Sequence, residues 1–156
     1  MNKPYFIETI KVLDGKFCNL PYHVERAERT SFTFYKKSLT LSLDDSDIPL
    51  DMKDGLVKCR VIYADTLVNI SYEKYVFRKI DSLAIIEDNS IDYTYKYQDR
   101  SEINSLVEKK GTSDDILIIQ NGCLTDTSFC NIVLENSSGL FTPSTYLLNG
   151  TKRRTL

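Results

Sequence analysis

Four features of this 156-residue chain could do chemistry together: Arg26, Lys96, Asp126 and the run Gly150-Thr151-Lys152-Arg153. Lys96 offers a primary amine, which attacks carbonyl carbon when neutral. At the end of an apolar strand such an amine is partly desolvated, and desolvation favours the neutral form. The same amine can move protons at a nearby carbon. Asp126 offers a carboxylate thirty positions later. Arg26 offers a planar fork suited to a bidentate phosphate contact. Gly150-Thr151-Lys152 reads as a helix start, where backbone N–H groups favour an anion and a glycine lets the backbone approach it closely. Taken singly, each has a plainer reading: a solvated lysine, an Asp-Thr-Ser turn, a helix-surface arginine paired with Glu25 or Glu28, and a helix cap. Their order along the chain is what carries information.

The elements that must position these groups follow from periodicity and turn residues. Residues 4–13 alternate apolar and polar and meet Asp14-Gly15, which reads as strand, tight turn, strand. From Pro21 to about Tyr35 the period becomes helical, with His23 and Arg26 on one face and His23 as a structural partner there. Residues 38–54 are polar and acidic, a loop or short helix. Residues 57–63 and 68–75 form a hairpin through Ala64-Asp65-Thr66, and 77–86 reads as a further strand. Glu87-Asp88-Asn89-Ser90 marks a linker, followed by a tyrosine-rich strand over 91–95 that ends at Lys96. Residues 101–110 read as a helix closed by Gly111. Strands over 115–120, 123–125 and 129–134 surround the hairpin signal Asn121-Gly122. A last short strand covers 140–143 beyond the turn at Ser137-Ser138-Gly139. The expectation is an α+β fold of antiparallel hairpins: a small lobe over 1–86, a linker over 87–90 and a larger β-rich lobe over 91–156.

Composition narrows the class. With 42% hydrophobic and 27% charged residues the chain reads as globular. A net charge of -2 gives no global attraction for nucleic acid or an anionic membrane. The apolar runs are too short for a membrane span, and the N-terminus lacks a signal-peptide core, so the expected location is cytoplasmic. Four cysteines without a Cys-x-x-Cys, and one histidine, exclude a zinc constellation. Cys59 and Cys130 lie in apolar runs and read as small core residues. Neither a Gly-x-Gly-x-x-Gly nor a Walker loop is present, which argues against a nucleotide-binding Rossmann unit.

The motifs become specific when read in sequence. Phe6-Ile7-Glu8-Thr9-Ile10, Asp14-Gly15 and His23-Val24-Glu25-Arg26 together resemble the opening of the class IV aminotransferases. That family has pyridoxal phosphate fold type IV and includes branched-chain aminotransferase, D-amino acid aminotransferase and 4-amino-4-deoxychorismate lyase. Tyr95-Lys96-Tyr97-Gln98-Asp99-Arg100 resembles its lysine segment, closest to the Lys-x-x-Asn-Arg form of the lyase branch. Leu124-Thr125-Asp126-Thr127-Ser128-Phe129-Cys130-Asn131 resembles its Val-Thr-Glu segment. Leu140-Phe141-Thr142-Pro143 with Leu148-Asn149-Gly150-Thr151-Lys152-Arg153 resembles its Thr-Pro and Gly-Ile-Thr-Arg ending. The similarity runs from about Phe6 to the last residue.

The resemblance implies a two-lobed enzyme that uses pyridoxal 5'-phosphate. It makes Lys96 the catalytic lysine and the cofactor's attachment point. Asp126 would keep the pyridine nitrogen protonated, one methylene shorter than the family's usual glutamate. Arg26 would bind the phosphate, with Thr151 and Lys152 as the second phosphate contact where the family has Ile-Thr. Ser128, Phe129 and Asn131 would line the cofactor cleft. Arg60 lies on a strand that borders the substrate side in this family; a carboxylate contact and a plain surface arginine are equally open. The chain ends six residues past Gly150, where family members continue, so the second lobe is expected to be C-terminally short. The expected reaction is that of 4-amino-4-deoxychorismate lyase, with an amino acid aminotransferase as the alternative and a non-catalytic binding domain as the second alternative. Partners would be aminodeoxychorismate or an amino acid and a second copy of the chain, with no nucleic acid and no membrane.

Overall fold

In the computed structural model, which describes residues 3–155, strand β1 (Phe6–Leu13) turns Phe6, Glu8, Ile10 and Val12 inward and exposes Thr9, Lys11 and Leu13. That is the two-residue period read from the sequence. Asp14 and Gly15, at φ 47° and 73°, make the left-handed turn into β2 (Lys16–Phe17). Strands β3 (Leu56–Tyr63) and β4 (Leu67–Lys74) complete an antiparallel sheet of order β2-β1-β3-β4. Helix α1 (Leu20–Tyr35) has Pro21 in its first turn and buries His23, Arg26, Ala27, Thr30 and Ser31, a stripe at three- and four-residue spacing. The core joins the inward residues of β1 and β3 to Ala27, Leu39, Leu41 and Ile48. The polar stretch over 38–54 is irregular apart from two 3₁₀ turns, as expected, yet three of its apolar residues close this core.

The chain through Phe77 and the segment Tyr95–Asp99 form this first compact unit; Arg78–Thr94 and the chain from Arg100 form the second. The boundary expected at 87–90 lies earlier because β5 (Leu83–Glu87) pairs with β6 (Asp115–Gln120) of the second unit. This pairing is parallel, beside the antiparallel hairpins that were expected, and helix α2 (Ser101–Val107) lies in the crossover that a parallel pair needs. β6 then turns through Asn121-Gly122 into antiparallel β7 (Cys123–Thr127). β8 (Leu134–Asn136) and β9 (Gly139–Phe141) form a small hairpin, and α3 (Thr151–Arg154) follows Gly150.

Three expected strands are shorter or absent, each for a hydrogen-bonding reason. The strand expected over 77–86 starts only at Leu83, because Asp114 Oδ2 takes the N–H groups of Asp81 and Ser82 and the Ser82 hydroxyl, each at 2.9 Å. The strand expected over 91–95 does not form. Asp88 Oδ1 accepts from the N–H of Ser90 and Ile91, and Asp92 Oδ1 from that of Thr94, so side chains satisfy donors that a ladder would use. The alternation in 91–95 comes instead from the burial of Ile91 and Tyr93. Residues 129–133 are not strand either: Thr127 N–H donates to Cys130 O at 2.9 Å and closes a tight turn. That turn leaves Cys130 exposed, not in a core as expected, while Cys59 is fully buried. Among the described residues no helix is long and apolar enough to cross a membrane.

Candidate functional site

Glu8 is the one acidic residue on the inward face of β1, with 0% exposure. Two side chains from one face of α1 meet it there. Arg26 donates from Nε to Oε1 at 2.8 Å and from Nη2 to Oε2, and His23 donates from Nδ1 to Oε2 at 2.6 Å. Burial pushes the Glu8 carboxyl up, but the hydrogen bonds and charge of Arg26 and His23 outweigh it and hold the group below its ordinary range. Arg26 is thus not a surface arginine, and the side-chain partner that its fork meets is Glu8 of β1. It is buried, and two of the five N–H donors of its fork go to a carboxylate.

Lys96 also belongs to the first unit. It does not end a strand. The chain touches β1 through a single bridge, Tyr97 to Phe6, flanked by Ile7 N–H to Lys96 O and Gln98 N–H to Tyr5 O, both at 2.9 Å. The rings of Tyr95 and Tyr97 pack on Phe34, with centroids 4.8 Å and 6.2 Å away. Backbone pairing on one side and aromatic packing on two flanking residues fix where the half-buried lysine leaves the chain.

In the second unit Asp126 is the centre of a clamp. Asn131 is its bridge partner across the 127–130 turn. Asn131 Nδ2 donates to Asp126 Oδ1 and to Leu148 O, both at 2.8 Å, and Leu148 N–H donates to Asp126 Oδ2 at 3.0 Å. Asp126 is 7% exposed. Burial raises its carboxyl above the usual range; the Leu148 N–H, the Asn131 amide and the more distant Arg153 charge offset only part of that. Gly150 has a function the sequence did not reveal. A Cβ there would lie 2.1 Å from Asn131 Oδ1, so the missing side chain makes room for Asn131. Asn149 Oδ1, one residue earlier, is buried without a hydrogen-bond partner. Thr151 is buried at the start of α3 and Lys152 is exposed beside it.

Ser128 is buried, and its carbonyl accepts from Arg100 Nη2 at 2.5 Å. Arg100 also stands 5.8 Å from the centre of the Tyr93 ring. It therefore pins the turn that carries Asp126 and Asn131, a role the motif alone did not supply. Phe129 is 45% exposed, with the Arg78 guanidinium 4.7 Å above its ring.

Of the residues expected to act together, Arg26 and Lys96 lie in the first unit, both on partners of β1. Asp126, Ser128, Phe129, Asn131, Thr151 and Lys152 lie in the second, where Asp126, Asn131 and the 148–150 backbone form one connected group. Glu8 was missed as a site residue. Its signal was present: a charge at the inward parity of a strand, with His23 and Arg26 three apart on the next helix. The donors around Asp126 give a test of pyridoxal phosphate. The carboxylate is buried, both its oxygens accept from neutral groups only, and it is held above its usual range. Each oxygen retains acceptor capacity. A cationic ring N–H is the ligand that such a carboxylate lacks, so these residues fit the group.

No family model matches the chain. An uncharacterised protein of Haemophilus influenzae is 33% identical over 152 residues, covering 96% of this chain and 81% of its own length. The crystal structure of a candidate 4-amino-4-deoxychorismate lyase from Haemophilus somnus matches with a TM-score of 0.85 at 29% identity, over 100% of this chain and 84% of that one. An amino-acid aminotransferase candidate from Mesorhizobium loti matches with a TM-score of 0.71 at 18% identity, over 97% of this chain and 81% of that one, a likeness of fold. The two-unit α+β architecture, the ordered motifs from Phe6 onward and these likenesses agree: the chain has the fold of the fold type IV enzymes and resembles their class IV lyases and aminotransferases.

Proposed function

We propose that this chain is a pyridoxal phosphate-dependent enzyme and that its reaction is that of 4-amino-4-deoxychorismate lyase. The observation that carries the cofactor reading is Asp126, a buried carboxylate raised by desolvation and ringed by neutral donors. The lyase reading is supported by the Lys96 and Arg100 spacing and by the likeness to the Haemophilus somnus protein. Bound pyridoxal phosphate supplies an electron sink for negative charge at the carbon bearing the substrate amine.

The chain's own residues do the rest. Asp126 would hold a proton on the ring nitrogen, with Asn131 and the Leu148 N–H fixing its carboxylate plane. In the first unit Arg26, its fork oriented by Glu8 and His23, would supply a phosphate contact, and in the second unit Thr151 and Lys152 would supply another. Ser128, Phe129 and Asn131 would lie beside the cofactor. Lys96 takes the proton from the amine-bearing carbon of aminodeoxychorismate. The electrons of that C–H bond enter the ring as it becomes aromatic, the C–O bond to the enolpyruvyl group breaks, and the leaving group regains a proton to depart as pyruvate. The other product is 4-aminobenzoate. The enzyme works in the cytoplasm as a homodimer.

The test is a visible absorbance scan of the chain with added pyridoxal phosphate, followed by product analysis. Wild type develops a band at the violet edge that K96A lacks, and aminodeoxychorismate yields pyruvate and 4-aminobenzoate. A new keto acid from an amino donor, without pyruvate release from aminodeoxychorismate, assigns the aminotransferase reaction instead. A chain that stays colourless with added cofactor sinks the enzyme reading and leaves a binding domain.

A further inference from the structure

Two guanidinium groups grip successive residues of the 127–130 turn. Arg100 donates from Nη2 to the Ser128 carbonyl at 2.5 Å, and Arg78 holds its Cζ 4.7 Å from the centre of the Phe129 ring. The Arg78 side chain is 60% exposed and Phe129 is 45% exposed. Holding a long surface side chain still costs more rotamer freedom than an exposed cation–π contact returns. A second contact is needed to fix Arg78 in place.

Asp115 supplies it. This residue opens β6 at 2% exposure, and its Oδ2 is buried without a hydrogen-bond partner. Its ion-pair partner among the described residues is Arg78, whose Nη2 stands 4.0 Å from Oδ2. A carboxylate taken out of water is costly unless a cation offsets it. The other acids nearby are engaged elsewhere: Asp114 Oδ2 accepts from Asp81 and Ser82, and Asp81 pairs with Lys79. The 4.0 Å separation is longer than a charge-assisted hydrogen bond of about 2.7–2.9 Å. The attraction is therefore Coulombic and leaves the guanidinium face to the ring.

The sheet puts this anchor beside the turn. Asp115 pairs with Leu83 of β5, and two residues along Leu117 pairs with Thr127, the last residue of β7. Asp115 thus lies at the sheet end where β7 runs into the turn. Thr127 N–H to Cys130 O closes that turn, and Asn131 leaves it to meet Asp126.

We propose that Arg78 is a positioning residue for the turn between Asp126 and Asn131, anchored by Asp115 and holding the Phe129 ring with its guanidinium face. That the turn meets a cofactor rests on the function proposed above; the contacts of Arg78 rest on the second unit alone.

Two measurements test it. In the whole chain without cofactor, amide hydrogen exchange is followed at Thr127 and, as a reference in the first unit, at Ile10. R78Q is expected to speed exchange at Thr127 by about 2- to 5-fold and to leave Ile10 unchanged. F129L is expected to give the same gain, with R78Q adding nothing in that background. D115N, which keeps the shape and removes the anchoring charge, is expected to give part of the gain. In the chain loaded with pyridoxal phosphate, titration of the violet-edge band is expected to show a dissociation constant raised by a similar factor in R78Q. Unmoved exchange at Thr127, equal acceleration at Thr127 and Ile10, additive effects of R78Q and F129L, or an unchanged cofactor constant overturns the assignment. A wild-type chain that takes up no cofactor removes the enzyme reading, and exchange at Thr127 then decides the hold of Arg78 on the turn independently.

Discussion

Replacing Glu8 by glutamine isolates the buried ion pair with little change of shape. The wild-type carboxylate accepts from Arg26 Nε at 2.8 Å, from Arg26 Nη2 and from His23 Nδ1 at 2.6 Å, at 0% exposure. An amide offers one oxygen and one NH₂ group, so in either orientation at least one donor of Arg26 meets another donor. The guanidinium also stays charged and buried without its counter-charge. Removing one partner of a buried pair costs about 3–5 kcal/mol. With a urea m-value of about 2 kcal/mol/M, the unfolding midpoint falls by roughly 2 M at unchanged m.

The pH dependence has a definite sign. Glu8 is held below its ordinary value of 4.5, so its pair stabilises the fold above that pH and loses its effect as pH falls through the folded value. Glutamine does not titrate, so the gap between wild type and E8Q is full at pH 7 and closes below about pH 4.5. Urea melts of both proteins from pH 7 to pH 3 read this directly. In an E8Q/R26M background, where the charge is gone, most of the loss returns. A cost under about 1 kcal/mol at pH 7, or a gap that does not change with pH, would refute the account of Glu8 as the counter-ion of Arg26.

Two further outcomes follow from the second unit and the core. G150A drives its Cβ to within 2.1 Å of Asn131 Oδ1, although the backbone there suits alanine at φ -64° and ψ 147°, so the loss of roughly 2–3 kcal/mol in urea melts should vanish in an N131A background. An undiminished loss in that background would mean that the clash lies elsewhere. Cys59 is fully buried, and burial pushes its thiol up to about 11, so at pH 8 a thiol reagent should label exposed Cys123 and Cys130 and reach Cys59 only after unfolding. Rapid labelling of Cys59 in the native chain is the contrary result.

Much of the fold was legible because it rests on local chemistry. The β1 alternation, the Asp14-Gly15 and Asn121-Gly122 turns and the α1 stripe each depend on a few neighbouring residues. The failures have a common cause. At 77–82 and 91–95, aspartate side chains capture backbone donors, and the donors of Asp81 and Ser82 go to Asp114, more than thirty positions away. Strand-like composition carries no trace of a donor already taken by a side chain. The parallel pairing of β5 with β6 was hidden for a related reason: a crossover joins partners that no turn residue announces.

The candidate site divides in the same way. Sequence alone determined its chemistry, because an amine at 96, a carboxylate at 126 and an arginine at 26 are properties of residue type and order. Tertiary structure decided what each group meets. Arg26 meets Glu8 because strand parity and helix phase converge on one buried point. Asp126 meets Asn131 because a four-residue turn brings them face to face and Gly150 leaves the space. Arg60 keeps an unpaired Nε because its cross-strand neighbours are hydroxyls. The physical reason is range. Charge and nucleophilicity are carried by a residue wherever it lies, whereas burial and partnership depend on atoms that only a folded chain brings within a few ångströms.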